Sequence, residues 1–270
     1  MKRAIFAVIV AVVAVGVFSA CAKKSGGNVI KVVFVDGDKP KCFRDESGKI
    51  TGYDVEVFEE LDKLWNDVTF EFDMGDQSAM LLGVETNKYQ IGSDGLFKNP
   101  SREEKFLFPK ENLGYSPLNL LVKGDSTINS LEDMRGKTFT PLPANWGNHY
   151  ILTTYINVHP EGNYTFGTID SVALSDLALW VAEGRYDAYF GPTEWVPSVK
   201  EGRGFDVKVS DIAYYEPTYP IFNKSRSDLV DRYNTGIKTL KENGTLSRLA
   251  IKWLEADVFA DQAAFAARSK

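Results

Sequence analysis

Ile30-Lys-Val-Val-Phe-Val35, Asp54-Val-Glu-Val-Phe-Glu-Glu-Leu-Asp-Lys-Leu-Trp65 and Val68-Thr-Phe-Glu-Phe72 follow one another near the start of this chain. The first is an almost unbroken apolar run of strand length. The second places Val57, Phe58, Leu61, Leu64 and Trp65 on one face of a helix, and the third alternates apolar and polar residues as a strand does. A strand, a helix and a strand in that order predict a right-handed crossover in a parallel sheet. The same grammar returns in the middle. Lys137 to Pro141 reads as a strand and Leu142 to Gly147 as a loop. A helix carrying Ala173, Leu177, Trp180 and Val181 closes at Gly184, and Asp187-Ala-Tyr-Phe190 reads as another strand. The fold class is therefore α/β, in two lobes.

Outward from these units, Ser227 reads as the N-cap of a helix burying Leu229, Val230, Tyr233, Ile237 and Leu240, with Gly244 as its stop. Thr245 then reads as the cap of a last helix, whose Leu246, Leu249, Ala250, Trp253 and Leu254 recur at helical spacing. The Ala-rich tail from Glu255 to Lys270 is assigned no order. At the other end, Lys2 and Arg3 precede an apolar run from Ala4 to Phe18, then Ser19-Ala20-Cys21. Roughly 15 apolar residues fall short of the ~20 of a spanning helix, so residues 1–20 read as a secretory signal. The cysteine resembles the lipobox of bacterial lipoproteins, which implies lipidation at Cys21, a short tether over residues 21–28 and a membrane anchor. A plain cleaved signal is the alternative.

Composition narrows the function. The net charge of −6 becomes more negative once Lys2 and Arg3 leave with the signal, and an acidic chain lacks the basic face that nucleic acid requires. Only Cys21 and Cys42 are present, so no disulfide framework exists, and stability has to come from the core that 44% hydrophobic residues can supply. His149 and His159, the only histidines, sit in no metal-ligand or catalytic spacing. Cys42 has no helix start or basic helix to make it a thiolate, and no phosphate loop or Gly-x-Ser-x-Gly is present. No cofactor, metal or catalytic residue is expected.

Leu240-Lys-Glu-Asn-Gly-Thr-Leu-Ser-Arg-Leu-Ala-Ile-Lys-Trp253-Leu254 resembles the C-terminal signature of the extracellular solute-binding proteins of family 3. Gly48-Lys-Ile-Thr-Gly-Tyr-Asp54-Val, Asn99-Pro-Ser-Arg102, Ser130-Leu-Glu-Asp-Met-Arg-Gly-Lys137 and Glu183-Gly-Arg-Tyr-Asp187-Ala match in the family's order. The likeness covers residues 29–256. It implies a periplasmic-binding-protein fold whose lobes, each a mixed, mostly parallel sheet flanked by helices, close about a hinge. Lobe 1 would comprise residues 29–118 and 219–257, lobe 2 residues 119–218, and residues 258–270 a tail. The strand crossings are placed near Leu118–Leu121 and Thr218–Phe222. The implied function is capture of a small polar carboxylate-bearing solute, an amino acid or derivative, by a monomer that delivers it to the permease subunits of an ABC transporter.

Carried over residue by residue, the resemblance implies that Arg102 grips a ligand carboxylate through the paired donors of its guanidinium. The other reading is a surface arginine in Arg102-Glu-Glu-Lys105. Asp94, Gly95 and Phe97 fall on the cleft-lining segment before it, where a carboxylate and a large aromatic replace the family's small groups; Asp94 could instead pair with Arg102. Asp38 and Gln77 stand where the family carries stacking aromatics; Asp36 and Asp38 read either as holders of a cationic ligand group or as an ordinary solvated Asp-Gly-Asp turn. Asn145 and Trp146 lie on a ligand-facing loop, the indole being either a stacking platform or a core residue. The family's amine-binding aspartate aligns with Pro192, which offers neither charge nor N–H. Glu194 is the substitute two residues on, with a solvated loop carboxylate as the alternative. Tyr214 and Tyr215 are further candidate walls. Two rival functions remain: an enzyme resembling cyclohexadienyl dehydratase, with Asp94 or Glu194 as a buried acid, and a sensory lipoprotein that signals on closure.

Overall fold

The structure is a computed structural model that describes residues 28–268. The signal segment, Cys21 and the tether up to residue 27 lie outside the described residues.

Strand β1 (Asn28–Val35) leads through a small hairpin, β2 (Phe43–Arg44) and β3 (Ile50–Thr51), into helix α1 (Tyr53–Leu64) and strand β4 (Val68–Gly75). β1 and β4 pair in parallel over their full length, Asn28 opposite Val68 through Val35 opposite Gly75, as the strand–helix–strand order predicts. Helix α2 (Gln77–Glu85) returns to β5 (Ile91–Leu96), which is parallel to β1 on its other side. Helix α3 (Pro100–Lys105) and the short β6 (Phe106–Leu107) precede the long strand β7 (Gly114–Lys123).

The second lobe contains β8 (Leu142–Pro143), α4 (Gly147–Val158), β9 (Thr168–Ile169), α5 (Leu174–Ala182), β10 (Ala188–Gly191) and α6 (Val196–Arg203). The 17-residue β11 (Val207–Asn223) returns the chain to lobe 1, which α7 (Ser227–Glu242), α8 (Thr245–Leu254) and α9 (Val258–Arg268) complete. The main sheet runs β10-β7-β11-β5-β1-β4, with β6 beside β11. In the second lobe β10, β7 and β11 are antiparallel, and parallel pairing is confined to β8–β9 and single bridges at Thr138 and Phe139.

The two crossings are stretches of one antiparallel ladder. β7 and β11 pair from Gly114 opposite Thr218 to Lys123 opposite Val207, with register shifts around Ile212. The hydrophobic core divides accordingly. Lobe 1 packs Phe34, Phe58, Leu61, Tyr233, Ile237 and Leu249 between its sheet and helices, with a satellite around Met80, Val84 and Ile221 on the opposite face. Lobe 2 holds one cluster around Leu118, Phe139, Leu152 and Phe190 and another around Leu121, Leu177, Val181 and Tyr189. Removing each such side chain from water stabilises the fold by about 1.5–3 kcal/mol.

Four local readings are corrected. Lys137 to Pro141 is not a continuous strand: only Thr138 and Phe139 make bridges, and Pro141, with no N–H, cannot carry a ladder on. The loop expected over Leu142 to Gly147 opens on the short strand β8 (Leu142–Pro143) and gives way to α4 at Gly147. Ser227 and Thr245 are first helical residues, with Arg226 and Gly244 in the cap positions. The tail is ordered as α9, which buries Val258 and sets Phe259 and Phe265 edge-on against Tyr115 and Tyr215 of the linking strands.

Candidate functional site

Lobe 1 presents the carboxyl end of β5 and the loop after β1 to the groove between lobes, the end of a parallel sheet where ligands characteristically bind. Under this wall lies Asp54, buried at the start of α1, whose carboxylate accepts from Ser93 Oγ at 2.6 Å and from the Gly95 amide at 3.2 Å. Burial pushes it up to about 6 against the lowering pull of the Ser93 bond and Lys41. These bonds hold the β5 segment, and Gly95 takes a left-handed φ of 56° that favours a residue without Cβ.

Asp94 faces the groove. Its carboxylate accepts from Gln77 Nε2 at 3.0 Å and lies 4.0 Å from the Cys42 thiol. Burial, reinforced by the Asp38 charge, raises Asp94 to about 7, although Lys41 and Gln77 pull the other way. Asp38 pairs with Lys41 at 2.9 Å. Burial alone would lower the Lys41 ammonium, but Asp38, Asp94 and Glu194 hold it above the ordinary lysine range. The Cys42 thiol is pushed far up by burial and the surrounding carboxylates, so it is no nucleophile. Asp38, Cys42 and Asp94 bring ligand atoms within 4.8 Å of one another, a spacing that could hold a metal. Here Lys41 already neutralises Asp38, Gln77 engages Asp94 and the thiol keeps its proton, so the set forms a hydrogen-bonded floor.

Arg102 sits on α3, a helix begun by Asn99, whose side chain accepts from the Arg102 amide at 2.8 Å, and by Pro100 at its first turn. The guanidinium is half-buried, and Nη1 donates to the Phe97 carbonyl at 2.9 Å. Burial lowers its pKa and the Asp94 charge raises it, without a direct ion pair between the two. The remaining guanidinium donors have no acceptor among the described residues and border the groove. Phe97 crosses to the other lobe and packs against its cluster; a Cβ on Gly147 would lie 2.5 Å from the Phe97 ring.

Lobe 2 contributes the start of α4 and the loop after β10. Asn145 is exposed, and Trp146, half-buried at the α4 cap position, borders the groove while packing on the lobe 2 core, so it serves both readings. Buried Asn148 donates to the Phe190 carbonyl at 2.8 Å. The Pro192 carbonyl accepts from Trp195 Nε1 at 2.8 Å and Tyr189 OH at 3.2 Å, so it is spent within its own lobe.

Two adjoining chambers result. One of 290 Å³ gathers Gln77, Asp94, Gly95, Phe97, Arg102, Asn145 and Trp146 from the sequence reading. The other, of 620 Å³, takes Asp38, Gly95 and exposed Glu194. Tyr215 borders the larger chamber and Tyr214 borders neither. Sequence reasoning missed Lys41, Leu174 and Trp195. Lys41 stood beside Asp38 in a charged turn, while the other two carry no local pattern that points to a groove.

Two α/β lobes joined by a paired-strand hinge, with an arginine and a carboxylate facing the groove between them, define a solute-binding protein. The model of the bacterial extracellular solute-binding proteins, family 3, matches residues 30–256, and the chain belongs to that family. The L-cystine-binding proteins TcyJ and TcyK of Bacillus subtilis (strain 168) are 34% and 29% identical to it. TcyJ aligns over 80% of each chain and TcyK over 82%. The crystal structure of the probable amino-acid ABC transporter extracellular-binding protein ytmK from B. subtilis superposes with a TM-score of 0.67 at 27% identity, covering 85% of this chain and 98% of that one. A structure from the study of glutathione import via GshT and the cystine importer TcyBC of Streptococcus mutans gives a TM-score of 0.62 at 26% identity, over 86% and 97%. The family is extracellular, and among the described residues no helix is long and apolar enough to cross a membrane.

Proposed function

We propose that this chain captures an amino-acid-type zwitterion outside the cytoplasm and hands it to the permease of an ABC importer. Arg102 takes the ligand carboxylate. Asp94, oriented by Gln77, takes the ammonium in place of the lobe 2 aspartate that Pro192 removes. The observation that carries this reading is the placement of both groups in one 290 Å³ chamber, oppositely charged yet not paired with each other. A cationic group beside Asp94 would draw its proton off, and a carboxylate would meet guanidinium donors that nothing else uses. Cystine leads the candidate ligands because TcyJ and TcyK are named for it.

The same reading assigns residues 29–118 and 219–257 to lobe 1 and 119–218 to lobe 2, with the protein acting as a monomer held to the membrane by lipid on Cys21. Binding and closure suffice without turnover. The raised Asp94 meets one requirement of a dehydratase acid, but exposed Glu194 does not, and the relatives named above are solute-binding proteins. Calorimetry of the purified mature chain against L-cystine, glutathione, L-arginine, L-glutamine and other zwitterions tests the proposal. Saturable, stoichiometric binding of at least one supports it, and binding of none removes the amino-acid reading.

A further inference from the structure

Beyond the chamber that holds Arg102 and Asp94, the groove continues into the larger one of 620 Å³. The two share Gly95, Leu174, Pro192 and Trp195, so they adjoin. Gly95 has no side chain at this passage, and its left-handed φ of 56° disfavours any replacement that would add one. The far wall is apolar and comes from two places: Tyr115, Ile212 and Tyr215 from the linking strands, and Leu254, Ala256 and Val258 from the segment that turns into α9. The edge-on Phe259–Tyr115 and Phe265–Tyr215 contacts, at 5.8 and 5.4 Å, fix α9 against those strands. The family match ends at residue 256, just before α9 begins at Val258, and from α9 Val258 and Asp261 reach that wall.

Sites for drug-sized ligands occupy about 300–1,000 Å³ and are mostly apolar with a few placed polar groups. The smaller chamber, at 290 Å³, suits a compact charged head group, and the larger is room for a second body. Of its charged lining residues, Asp38 and Lys41 satisfy one another at 2.9 Å and Asp54 is bonded to Ser93 and Gly95, while Lys39, Glu194 and Asp261 also line it. What the far wall itself offers a guest is mainly apolar surface.

We propose that α9 and the linking strands form an apolar annex that receives an aromatic or branched apolar arm on the amino-acid-type ligand, an assignment that rests on the head-group reading above. The annex then extends the ligands of the head-group site, cystine among the candidates, to α-amino acids with a bulky apolar side-chain substituent.

S-methyl-L-cysteine and S-benzyl-L-cysteine share one head group and differ in the arm, so calorimetry with this pair reads the annex directly. Burial of the ring should make the benzyl compound bind at least ~10-fold tighter to the wild-type protein. Ile212→Gln places an amide in the annex at a side chain already 36% exposed. It should weaken the benzyl compound about 10-fold and change the methyl compound less than about twofold. Equal or weaker binding of the benzyl compound, or an equal effect of Ile212→Gln on both, overturns the annex while leaving the head-group site standing. Binding of neither overturns the head-group reading and the annex with it.

Discussion

Protonation of Asp94 should control affinity across neutral pH. In the free protein its pKa rises from 3.8 to about 7 through burial and the nearby Asp38 charge. A ligand ammonium beside the carboxylate favours ionisation, so binding releases the proton and strengthens as pH rises. The ionised fraction falls about 25-fold between pH 7.5 and 5.5, which sets a ceiling of about 2 kcal/mol on the loss of affinity. The stability contribution has the opposite sign: a carboxyl group that holds its proton more tightly when folded makes the fold less stable as pH rises from ~4 to ~7. Asp38, Lys41, Cys42, Asp54, Gln77 and Arg102 surround the group, and Asp54, raised to about 6, is the other carboxyl in this cluster with a resolved upward shift. Calorimetry of a zwitterionic ligand at half-unit pH steps, on wild type and Asp94→Asn, separates the two. Wild-type affinity should climb to about pH 7.5 and level off, while Asp94→Asn binds weakly with most of the slope gone. A flat wild-type profile, or the full slope surviving in Asp94→Asn, would refute the assignment.

Arg102→Ala should weaken a carboxylate ligand by about 2–4 kcal/mol, roughly 30- to 1,000-fold, with an unchanged melting temperature. A threefold effect or less in calorimetry would remove the residue from the site. Gly147→Val drives a side chain into the Phe97 ring, where even a Cβ would stand at 2.5 Å, and should prop the lobes apart. Small-angle scattering should then show less compaction on ligand addition than in wild type, and equal compaction would count against that contact as a closing surface. Leu249→Ala, deep in the lobe 1 core, should cost about 2–5 kcal/mol in urea denaturation.

Where the backbone follows from local periodicity, the sequence is easily read. Val57, Phe58 and Leu61 mark α1 by their spacing, and Leu246, Leu249 and Ala250 mark α8; all are buried as expected. Helix α4 escaped because Gly147, Asn148 and its threonines and β-branched residues are weak helix formers. Its Ile151 and Leu152 are buried, yet too short a stripe to announce it. The strand crossings were read as points near Leu118–Leu121 and Thr218–Phe222, whereas β7 and β11 pair over a long ladder, since nothing local tells a strand that its partner lies some hundred residues away. Of the candidate site residues, those on sharp local motifs border the groove: Arg102 after Asn99-Pro100, and Asp94 and Gly95 before it. Lys41, Leu174 and Trp195 meet the groove only through tertiary packing, which composition and spacing do not encode. The Asp94–Arg102 pairing weighed from the sequence does not form; Gln77 and Phe97 satisfy them separately.

Because β7 and β11 are neighbours in one ladder, the lobes share a two-stranded ribbon that bends without giving up its pairing. Its register shifts beside Ile212 mark where the backbone departs from regular pleating. Sliding the two strands would break their ladder, whereas bending and twisting keep it, so a ribbon carries relative rotation of the lobes while holding their separation at the link. A membrane partner touching both lobes could then gauge occupancy from the spacing of two fixed surfaces, with no signal passing through the interior.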